Sequence, residues 1–443
     1  MSSKRMKTET GSSSSTAGGV VDLSGDDTTH VPMSGVVFDA MHGNIMNASS
    51  SVATRRSSAA AVEHQQLEPP LRVSECYRKA RDGYERSMQS HEYLDQPFTL
   101  RAKVKALAQL IRSSKACVAY TGAGLSTGAG IGDYASRDNH GSLTHSLVAQ
   151  GEKSAKKARR DVLPGVSHRV MVALQKAGML HEWVQQNHDG LPQKAGCPQH
   201  CINEIHGGWG DPSNPVITMS GHLRKDLALR FDKWSKKADL VLAMGTSLAA
   251  VGADNIVGAV SRRQQEHRAK GAVIISLQQT YFDDVCALRI FGKLDEVLGL
   301  LAEELALEVE PAGVPYAPSV TPEHLVRPDV FLIPYGVDGE RHIDASPIRA
   351  QWDLSEGSSV RIVYGPAEGF RGTMKGKTNS GNYLVEFPRI VAHEDEWLLR
   401  RDLKRYPNED PRAPRIYELG SWWVESAVLG LCDRVVLGLR VIM

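Results

Sequence analysis

The sequence predicts an α/β fold in which a doubly wound, mostly parallel sheet is followed by a small C-terminal β-barrel-like module. Strand-like apolar runs alternate with helix-like segments through the middle of the chain, a pattern typical of a parallel sheet covered by helices. Short strands separated by glycine turns follow a proline-rich stretch near residue 311. With 443 residues, 41% of them hydrophobic, the chain is long enough to bury the cores of two domains.

The sheet domain begins with a helix and continues as a βα alternation. Apolar residues at helical spacing, most clearly Leu100, Val104, Leu107 and Ile111, predict a helix that packs one face on the sheet. Ligands of such sheets bind at the carboxyl ends of the strands, so we expect functional residues there. The predicted strands are residues 117–120, 183–185, 240–244 and 273–277, and the predicted helices lie around residues 170–177, 223–237 and 295–305.

The chain is predicted to have five parts. Residues 1–73 are rich in Ser, Thr, Ala and Gly, so we expect them to be disordered. The sheet domain follows at residues 74–310, then a linker at 311–350 and the β module at 351–408. The tail, 409–443, is apolar but carries a charge every few residues, so no membrane span is expected.

Composition also bears on compartment and partners. The six cysteines are sparse and unevenly spaced, which favours a reducing environment over a disulfide framework. The first 15 residues are polar and lack the apolar run of a secretory signal, so we expect an intracellular protein. The basic run at 156–160 favours the nucleus over the cytoplasm. A net charge of +1 predicts no dominant polyanionic partner for the chain as a whole.

A glycine-rich turn, T-G-A-G-L-S-T-G-A-G from Thr121, directly follows the first predicted strand. Gly122 and Gly124 would let the backbone turn tightly and approach a pyrophosphate without a Cβ in the way. A tight strand-to-helix turn without any ligand gives the same pattern, so this segment alone leaves both interpretations open. If a dinucleotide binds here, the sheet is Rossmann-like.

Four further motifs follow in order along the chain. They are Gln186-Asn187-His188-Asp189-Gly190-Leu191, Ile205-His206-Gly207, Gly245-Thr246-Ser247-Leu248 and Ser276-Leu277-Gln278-Gln279-Thr280. Together with the glycine turn, they resemble the sirtuins over about residues 92–307, and Glu92-Tyr93-Leu94-Asp95 resembles the nuclear class of that family. The resemblance implies NAD as cofactor and an acylated protein as substrate.

The resemblance also implies roles for individual residues, with His206 as the catalytic base and Asn187 as a second catalytic residue. An imidazole accepts a proton near neutral pH, amides hold sugar hydroxyls, and a carboxylate accepts a hydrogen bond from the nicotinamide amide. The implied cofactor-binding residues are Gly122, Ala123, Gly124, Ser126, Thr127, Asp133, Tyr134, Gln186, Asn187, Asp189, Gly245, Thr246, Ser247, Ser276, Leu277 and Leu294.

The chain departs from the family pattern around the cofactor. The family reads G-I-P-D-F-R after the glycine turn, whereas this chain reads G-I-G-D-Y-A, and Arg137 comes two residues too late to replace the arginine. His188 replaces an aliphatic residue beside the expected nicotinamide pocket, and Ser276 replaces an asparagine. These changes bear on how the cofactor is positioned.

The family's structural zinc site is a further departure. Sirtuins hold this zinc with two Cys-x-x-Cys pairs after the catalytic histidine, but no cysteine lies between Cys201 and Cys286. We therefore expect no metal. Cys197 and Cys201, with His200 nearby, precede His206 and lack a second pair, so we interpret them as packing cysteines. The turn-forming residues at 209–215 are expected to form a short ordered loop in place of the zinc module.

The C-terminal module has its own resemblance. The pattern G-P-x-x-G-x-x-G from Gly365 lies between predicted strands and resembles the KOW type of SH3-like barrel, which binds RNA or protein. Its basic residues either contact phosphates of a nucleic acid or form a solvated charged rim, and both interpretations stay open. They are Arg361, Arg371, Lys375, Lys377, Arg400, Arg401, Lys404 and Arg405.

Three functions are consistent with these motifs. The first is an NAD-dependent protein lysine deacylase that releases nicotinamide. The second keeps NAD cleavage but transfers ADP-ribose to a protein side chain, which would tolerate the missing arginine and zinc module. The third is a non-catalytic module that binds NAD or ADP-ribose, although a pure binding module has no need of the base His206.

Overall fold

The computed structural model describes a defined set of residues, and the elements given below belong to it. Tyr134, Arg137, the basic run at 156–160 and most of the loop at 209–215 lie outside this set. The described residues are 36–38, 45–47, 67–133, 140–154, 162–208, 214, 216–217, 223–249, 252–312, 322–336, 339–341, 350–363, 368–378, 382–387, 414–419, 424, 427–428 and 437–438.

The N-terminal part contributes two antiparallel strand pairs. Strand β1 (Val36–Phe38) pairs with β2 (Ile45–Asn47), and β3 (Leu71–Ser74) pairs with β4 (Glu92–Leu94). Strands β1 and β2 lie in the region expected to be disordered, and β3 spans its predicted boundary after residue 73. Three of the four β3 residues are exposed, so the strand carries no apolar pattern and depends on its pairing with β4.

The central sheet is parallel throughout and has six strands in the order β10-β9-β8-β5-β6-β7. Strand β5, which comes first in the sequence among these six, is therefore central. The chain crosses from one half of the sheet to the other between β7 and β8, which confirms the predicted doubly wound sheet. The strands are β5 (Cys117–Thr121), β6 (Glu182–Gln185), β7 (Ile202–Glu204), β8 (Leu240–Met244), β9 (Gly271–Ile275) and β10 (Leu288–Ile290).

Helices cover both faces of this sheet. Alternate strand residues point to opposite faces, so Leu242 packs with α1, α3 and α7, whereas Ala243 packs with α6. The sequence did not predict α2 or α6. The helices are α1 (Pro97–Ser113), α2 (Leu143–Ser154), α3 (Val166–Lys176), α4 (Leu191–Lys194), α5 (Lys225–Lys237), α6 (Asn255–Gln265) and α7 (Leu294–Leu305).

The C-terminal module consists of two antiparallel sheets that share one apolar core. The first has three strands, β11 (Leu325–Arg327), β12 (Val330–Ile333) and β13 (Ala350–Asp353). The second has the order β17-β16-β15-β14-β18. Its strands are β14 (Ser359–Ile362), β15 (Arg371–Lys377), β16 (Tyr383–Phe387), β17 (Arg415–Leu419) and β18 (Leu437–Gly438).

The module is larger than the sequence predicted. Strands β11 and β12 come from the predicted linker, and β17 and β18 come from the predicted tail. Strand β11 pairs with the adjacent β12, whereas β12, β17 and β18 pair with β13, β16 and β14, which are at least 17 residues away, and such distant pairing leaves little trace in local sequence. The KOW resemblance stays a prediction. In the described part of the chain, no helix is long and apolar enough to cross a membrane.

Candidate active site

The glycine turn and the turn after β8 are in direct backbone contact. The N–H of Gly122 donates to the carbonyl of Met244 at 3.0 Å, and the N–H of Gly124 donates to that of Gly245 at 2.8 Å. A Cβ on Gly124 would lie 2.7 Å from the Cα of Gly245. Glycine is therefore required here because the two turns of the protein are in contact. This reason is separate from the one that the sequence suggested, which was close approach of the backbone to a pyrophosphate.

A cavity of about 470 Å³ opens at the carboxyl edge of the sheet, where β5 and β8 meet. Most of the predicted site residues line it, whereas Gly122, Ser126 and Asp189 do not, and Tyr134 is outside the described residues. The predicted residues in the lining are Ala123, Gly124, Thr127, Asp133, Gln186, Asn187, His206, Gly245, Thr246, Ser247, Ser276, Leu277 and Leu294.

Ser126 and Asp189 form a buried network behind this lining. The Ser126 hydroxyl donates to Asp189 Oδ2 at 2.6 Å and accepts from Asn187 Nδ2 at 3.0 Å. His168 completes the network, since its Nδ1 accepts the N–H of Gly165 and its Nε2 lies 3.4 Å from the Ser126 hydroxyl. Burial lowers the pKa of His168 below its usual value, so the ring stays neutral and Nε2–H is the donor.

This network gives Asp189 a different role from the one implied by the family resemblance. Its second oxygen accepts the N–H of Leu191 at 3.0 Å, so both oxygens bind the protein itself. Asn187 Nδ2 also donates to the carbonyl of Gly122 at 3.0 Å, which ties the end of β6 to the glycine turn. Asp189 therefore holds Asn187 in place, through Ser126, and does not reach the cavity.

We expect Asp189→Ala to lower the free energy of unfolding by about 2–4 kcal/mol, because the Ser126 hydroxyl and the Leu191 N–H lose a buried acceptor. Urea denaturation measures this loss. Asp82→Ala, which removes an exposed carboxylate, should stay within about 0.5 kcal/mol of the parent chain. An Asp189→Ala chain of unchanged stability that no longer binds ADP-ribose would instead mark Asp189 as a ligand contact.

His206 lies just beyond β7, in a turn held by backbone hydrogen bonds. The N–H of Gly207 donates to the carbonyl of Glu204 at 2.9 Å, and the N–H of Ile217 donates to that of His206 at 3.1 Å. Burial, and to a smaller extent the nearby His188, lower the pKa of His206 to about 4, although a hydrogen bond with the backbone of Gln186 opposes the shift. At neutral pH the ring is therefore an unprotonated acceptor.

His188 is one of the chain-specific residues in the cavity lining. Its Nδ1–H donates to the carbonyl of Gly207 at 2.8 Å, and its ring centroid lies 6.5 Å from that of His206. An aliphatic residue at this position could not form that hydrogen bond. His188 thus ties the end of β6 to the turn that carries His206.

A hairpin-like segment that the sequence did not predict forms one side of the cavity. Residues 79–89 fold back on themselves, with the N–H of Ala80 donating to the carbonyl of Met88 at 2.9 Å. Ala80, Arg81 and Tyr84 line the cavity, and the Arg81 guanidinium stacks over the Tyr84 ring at 4.8 Å. The segment carries none of the cofactor motifs, so only the structure reveals its position.

Two further parts of the wall were also missed. Tyr120 donates its hydroxyl to Asp254 Oδ1 at 2.7 Å, and burial raises the pKa of Tyr120 well above its usual value. On another side, the buried carboxylate of Glu92 accepts the N–H of Leu143 at 2.6 Å and so caps α2, which brings Thr144 into the wall. Ser142, a typical N-cap residue, is the sequence signal for this helix.

The lining suits a dinucleotide. Hydroxyls of Thr246, Ser247 and Ser276 and the amides of Gln186 and Asn187 can bind ribose hydroxyls. Arg81 and Lys293 supply positive charge for phosphates, and Leu277 and Leu294 supply apolar surface for a base. The cavity also lies where the strand order reverses, the usual place for ligands of such sheets.

Comparison with known proteins identifies the relatives of this chain. No protein-family model matches it. The rat NAD-dependent protein deacetylase sirtuin-7 is 29% identical over 273 residues, which cover 52% of this chain and 66% of that protein. The Arabidopsis thaliana NAD-dependent protein deacetylase SRT1 is 29% identical over 259 residues, covering 50% and 53%. The chain is therefore similar to the sirtuins over about half of its length.

The match spans less than two thirds of the length of these sirtuins. Solved Sir2 structures also match, among them one of Sir2 with a p53 peptide and NAD+, at 22% identity and a TM-score of 0.37 over 45% of this chain and 98% of that one. The sirtuin assignment rests on the sequence relatives and the ordered motifs.

Cys197 and Cys201, which lie close to His206 in the sequence, do not form a zinc site with the other described residues. Cys197 is fully buried and its thiol donates to Gln175, while Cys201 lies 3.0 Å from His200 Nε2. Burial raises the pKa of Cys197 well above its usual value and that of Cys201 to about 11, and both thiols contact side chains of the protein. Among the described residues, no three His, Cys, Asp or Glu side chains are grouped to hold a metal.

A buried asparagine, Asn214, supports the turn that carries His206. Asn214 Nδ2 donates to the carbonyl of Glu204 at 2.8 Å, and the carbonyl of Asn214 accepts the N–H of Gly208 at 2.9 Å. Asn214 is the one described residue of the predicted loop at 209–215. The segment that lacks the family arginine, residues 134–139, lies outside the described part of the chain.

Proposed function

We propose that the protein is an NAD-dependent protein lysine deacylase of sirtuin type. The observation that carries this proposal is a neutral, half-buried His206 in the wall of a cavity that the cofactor motifs also line. The relatives from rat and Arabidopsis thaliana are both named NAD-dependent protein deacetylases, which supports the same activity here. The proposed ligands are therefore NAD and an acylated lysine of a protein.

Different side chains have different roles in this reaction. NAD, when bound, supplies the glycosidic bond whose cleavage releases nicotinamide and makes ADP-ribose the acyl acceptor. His206 accepts a proton from a ribose hydroxyl at the imidazole nitrogen that does not contact the Gln186 backbone. Asn187, fixed by Ser126 and Gly122, presents a preoriented amide. Gln186 Nε2 donates to Thr246 Oγ1 at 3.3 Å, joining the ends of β6 and β8.

One observation favours a second candidate, transfer of ADP-ribose to a protein side chain. The glycine turn is followed by Asp133-Tyr134-Ala135, where the family places its arginine two residues after the aspartate. If that arginine is needed to position the cofactor for attack by an acyl oxygen, its loss harms deacylation more than direct transfer to another nucleophile.

Mass spectrometry of the products separates these candidates. Purified chain is incubated with NAD, with and without a pool of acetyl-, propionyl- and longer acyl-lysine peptides. Acyl-ADP-ribose formed only with peptide supports the deacylase, whereas ADP-ribosylated protein with unchanged peptides supports the transferase. Release of no nicotinamide in any mixture, with ADP-ribose still bound, would contradict both and leave a binding module.

The depressed pKa of His206 predicts an unusual pH profile. A histidine base works in its neutral form, and a pKa of about 4 keeps that form populated well below the ordinary 6.5. We expect kcat/KM for the acyl peptide to stay flat between about pH 5 and 7.5 and to fall only as the pH approaches 4. An acidic limb centred at pH 6.5, measured over the range in which the fold persists, would contradict this environment for His206.

We also propose that the protein acts inside the cell, with the nucleus favoured. Support comes from the sparse, unpaired cysteines and from the basic run at 156–160. Imaging of a tagged full-length chain tests this, with a variant in which the four basic residues of the run are changed to glutamine as the control for the run itself. A tagged chain excluded from the nucleus would contradict the proposal.

A further inference from the structure

The outer face of the five-stranded C-terminal sheet is strongly basic. Side chains alternate across β14 and β15, so that Arg361, Arg371, Lys375 and Lys377 point outward while residues such as Met374 lie in the core. Successive outward residues on one strand are roughly 6.7 Å apart. The cations of β15 therefore form a row along the strand.

Arg361 and Arg371 lie directly opposite each other in the register of β14 and β15. Both side chains are exposed, and neither forms an ion pair or hydrogen bond with another residue in the part of the chain that the structure describes. Like charges in such a cross-strand pair destabilise the sheet. An anion placed between the two guanidinium groups would remove that repulsion.

The other cations of this face already have partners. Lys375 pairs with Glu386 at 2.5 Å, and Lys377 pairs with Asp329 and lies over the Tyr383 ring. The two lysines still add to the positive electrostatic potential along the strand, but their ammonium groups already form ion pairs with carboxylates. The two arginines are therefore the groups best placed to bind an external anion.

An open groove of about 680 Å³ runs beside the arginine pair. We call it the basic groove and define it by Arg327, Arg361, Arg371 and the turn at residues 355–359, which brings three serines. Two carboxylates border it, Asp353 and Glu356. Asp353 is held by Arg327 at 3.2 Å and by the N–H of Ser355 at 3.0 Å, so much of its charge is compensated.

An exposed aromatic ring adjoins the arginine pair. Phe370 immediately precedes Arg371 and keeps 37% of its surface exposed. Its backbone is fixed, because the Phe370 carbonyl accepts the N–H of Ile362 at 2.9 Å. Exposed aromatic rings and unpaired guanidinium groups are the side chains that bind bases and phosphates of an extended strand, and here they are adjacent in the sequence.

We propose that the basic groove binds single-stranded nucleic acid, with phosphates on Arg361 and Arg371 and a base stacked on Phe370. A row of cations suits a chain of phosphates better than a single phosphate, and the exposed ring suits an unpaired base, which a duplex does not offer. This site is separate from the cavity of the sheet domain, so the proposal stands independently of the NAD-dependent activity.

The first test is the salt dependence of binding by the full-length chain, measured by fluorescence anisotropy with a labelled 15-nucleotide oligo(U). Arg361→Gln/Arg371→Gln should weaken binding at least about tenfold at low salt and reduce the slope of log K against log salt by about 1.4, or 0.7 for each lost phosphate contact. The matched control, Arg101→Gln/Lys105→Gln, removes two exposed cations from α1 and should change neither quantity.

The second test concerns the base. Phe370→Leu keeps an apolar side chain but removes the ring, and it should weaken oligo(U) binding roughly 5- to 150-fold, the range for loss of one stacked base. Binding of heparin, which carries charge but no bases, should be unaffected by this change. Thermal unfolding and nicotinamide release are measured for every variant. Loss of the fold and loss of the proposed NAD-dependent activity can then be told apart from loss of nucleic-acid binding.

Several results would overturn the proposal. They are no binding of oligo(U) at 50 mM salt, equal weakening in the α1 control, and tighter binding of a duplex than of the single strand. If Phe370→Leu left the affinity for oligo(U) unchanged, the groove would be a general binding surface for polyanions. That result would also contradict the proposal.

Discussion

His206→Ala is expected to reduce product formation from NAD by about 10²–10⁴-fold while NAD affinity stays within a few-fold. His206 lies in the turn after β7 and lines the cavity, and its neutral imidazole can accept a proton. The methyl group of alanine cannot. A base acts in the transition state more than in the ground state, so the loss should fall on kcat. Steady-state kinetics and isothermal titration with NAD measure the two effects.

The matched control is His267→Asn. His267 is exposed beyond the end of α6 and has φ of 57°, a conformation that asparagine tolerates, so activity should be unchanged. An His206→Ala chain that retains more than about a tenth of the parent kcat would contradict the role of base. A large loss of NAD affinity without loss of kcat would instead make His206 a ground-state contact.

Gly245→Ala is expected to lower the free energy of unfolding by about 2–5 kcal/mol, from overpacking and a strained backbone. Gly245 has φ of 60°, and a Cβ there would lie 2.6 Å from the N of Leu125 and 2.7 Å from the Cα of Gly124. The obstructing atoms are backbone, so they cannot rotate away. The turns after β5 and β8 would have to separate, and ADP-ribose binding should weaken with them.

Gly299→Ala provides a control in which the same substitution has the opposite effect. Gly299 lies within α7 with open space around it, so alanine should raise the free energy of unfolding by about 0.5–1 kcal/mol. Chemical denaturation of both variants, with thermal midpoints as a check, measures the difference. Equal stability of the Gly245→Ala and parent chains would contradict the contact between the two turns.

The sequence predicted the sheet and just under half of the residues of the cavity wall because the relevant signals are local. Strand β8 was predicted with its observed bounds, and β5 within one residue, since buried parallel strands are continuous apolar runs. Motifs that follow such strands must meet at one edge of the sheet. Asn187, Thr246 and Ser276 therefore line one cavity although they lie up to 89 positions apart in the chain.

The sequence was a poorer guide where structure depends on distant partners. The linker and tail boundaries were misplaced because β11, β12, β17 and β18 are short, and their stability comes from pairing and from the shared core. Arg81 and Tyr84 reach the cavity through a hairpin-like segment that carries none of the cofactor motifs. The position of such a segment depends on what it packs against.

By itself, the sequence determined the fold class, the family and the set of motifs around the cavity, because apolar periodicity and turn chemistry are encoded residue by residue. Tertiary structure decided which motif residues face the cavity. Asp189 and Ser126 turn inward to satisfy each other, while burial beside His188 keeps His206 neutral. Hydrogen-bond partners and desolvation depend on neighbours brought together only by folding, so no local pattern could have assigned these roles.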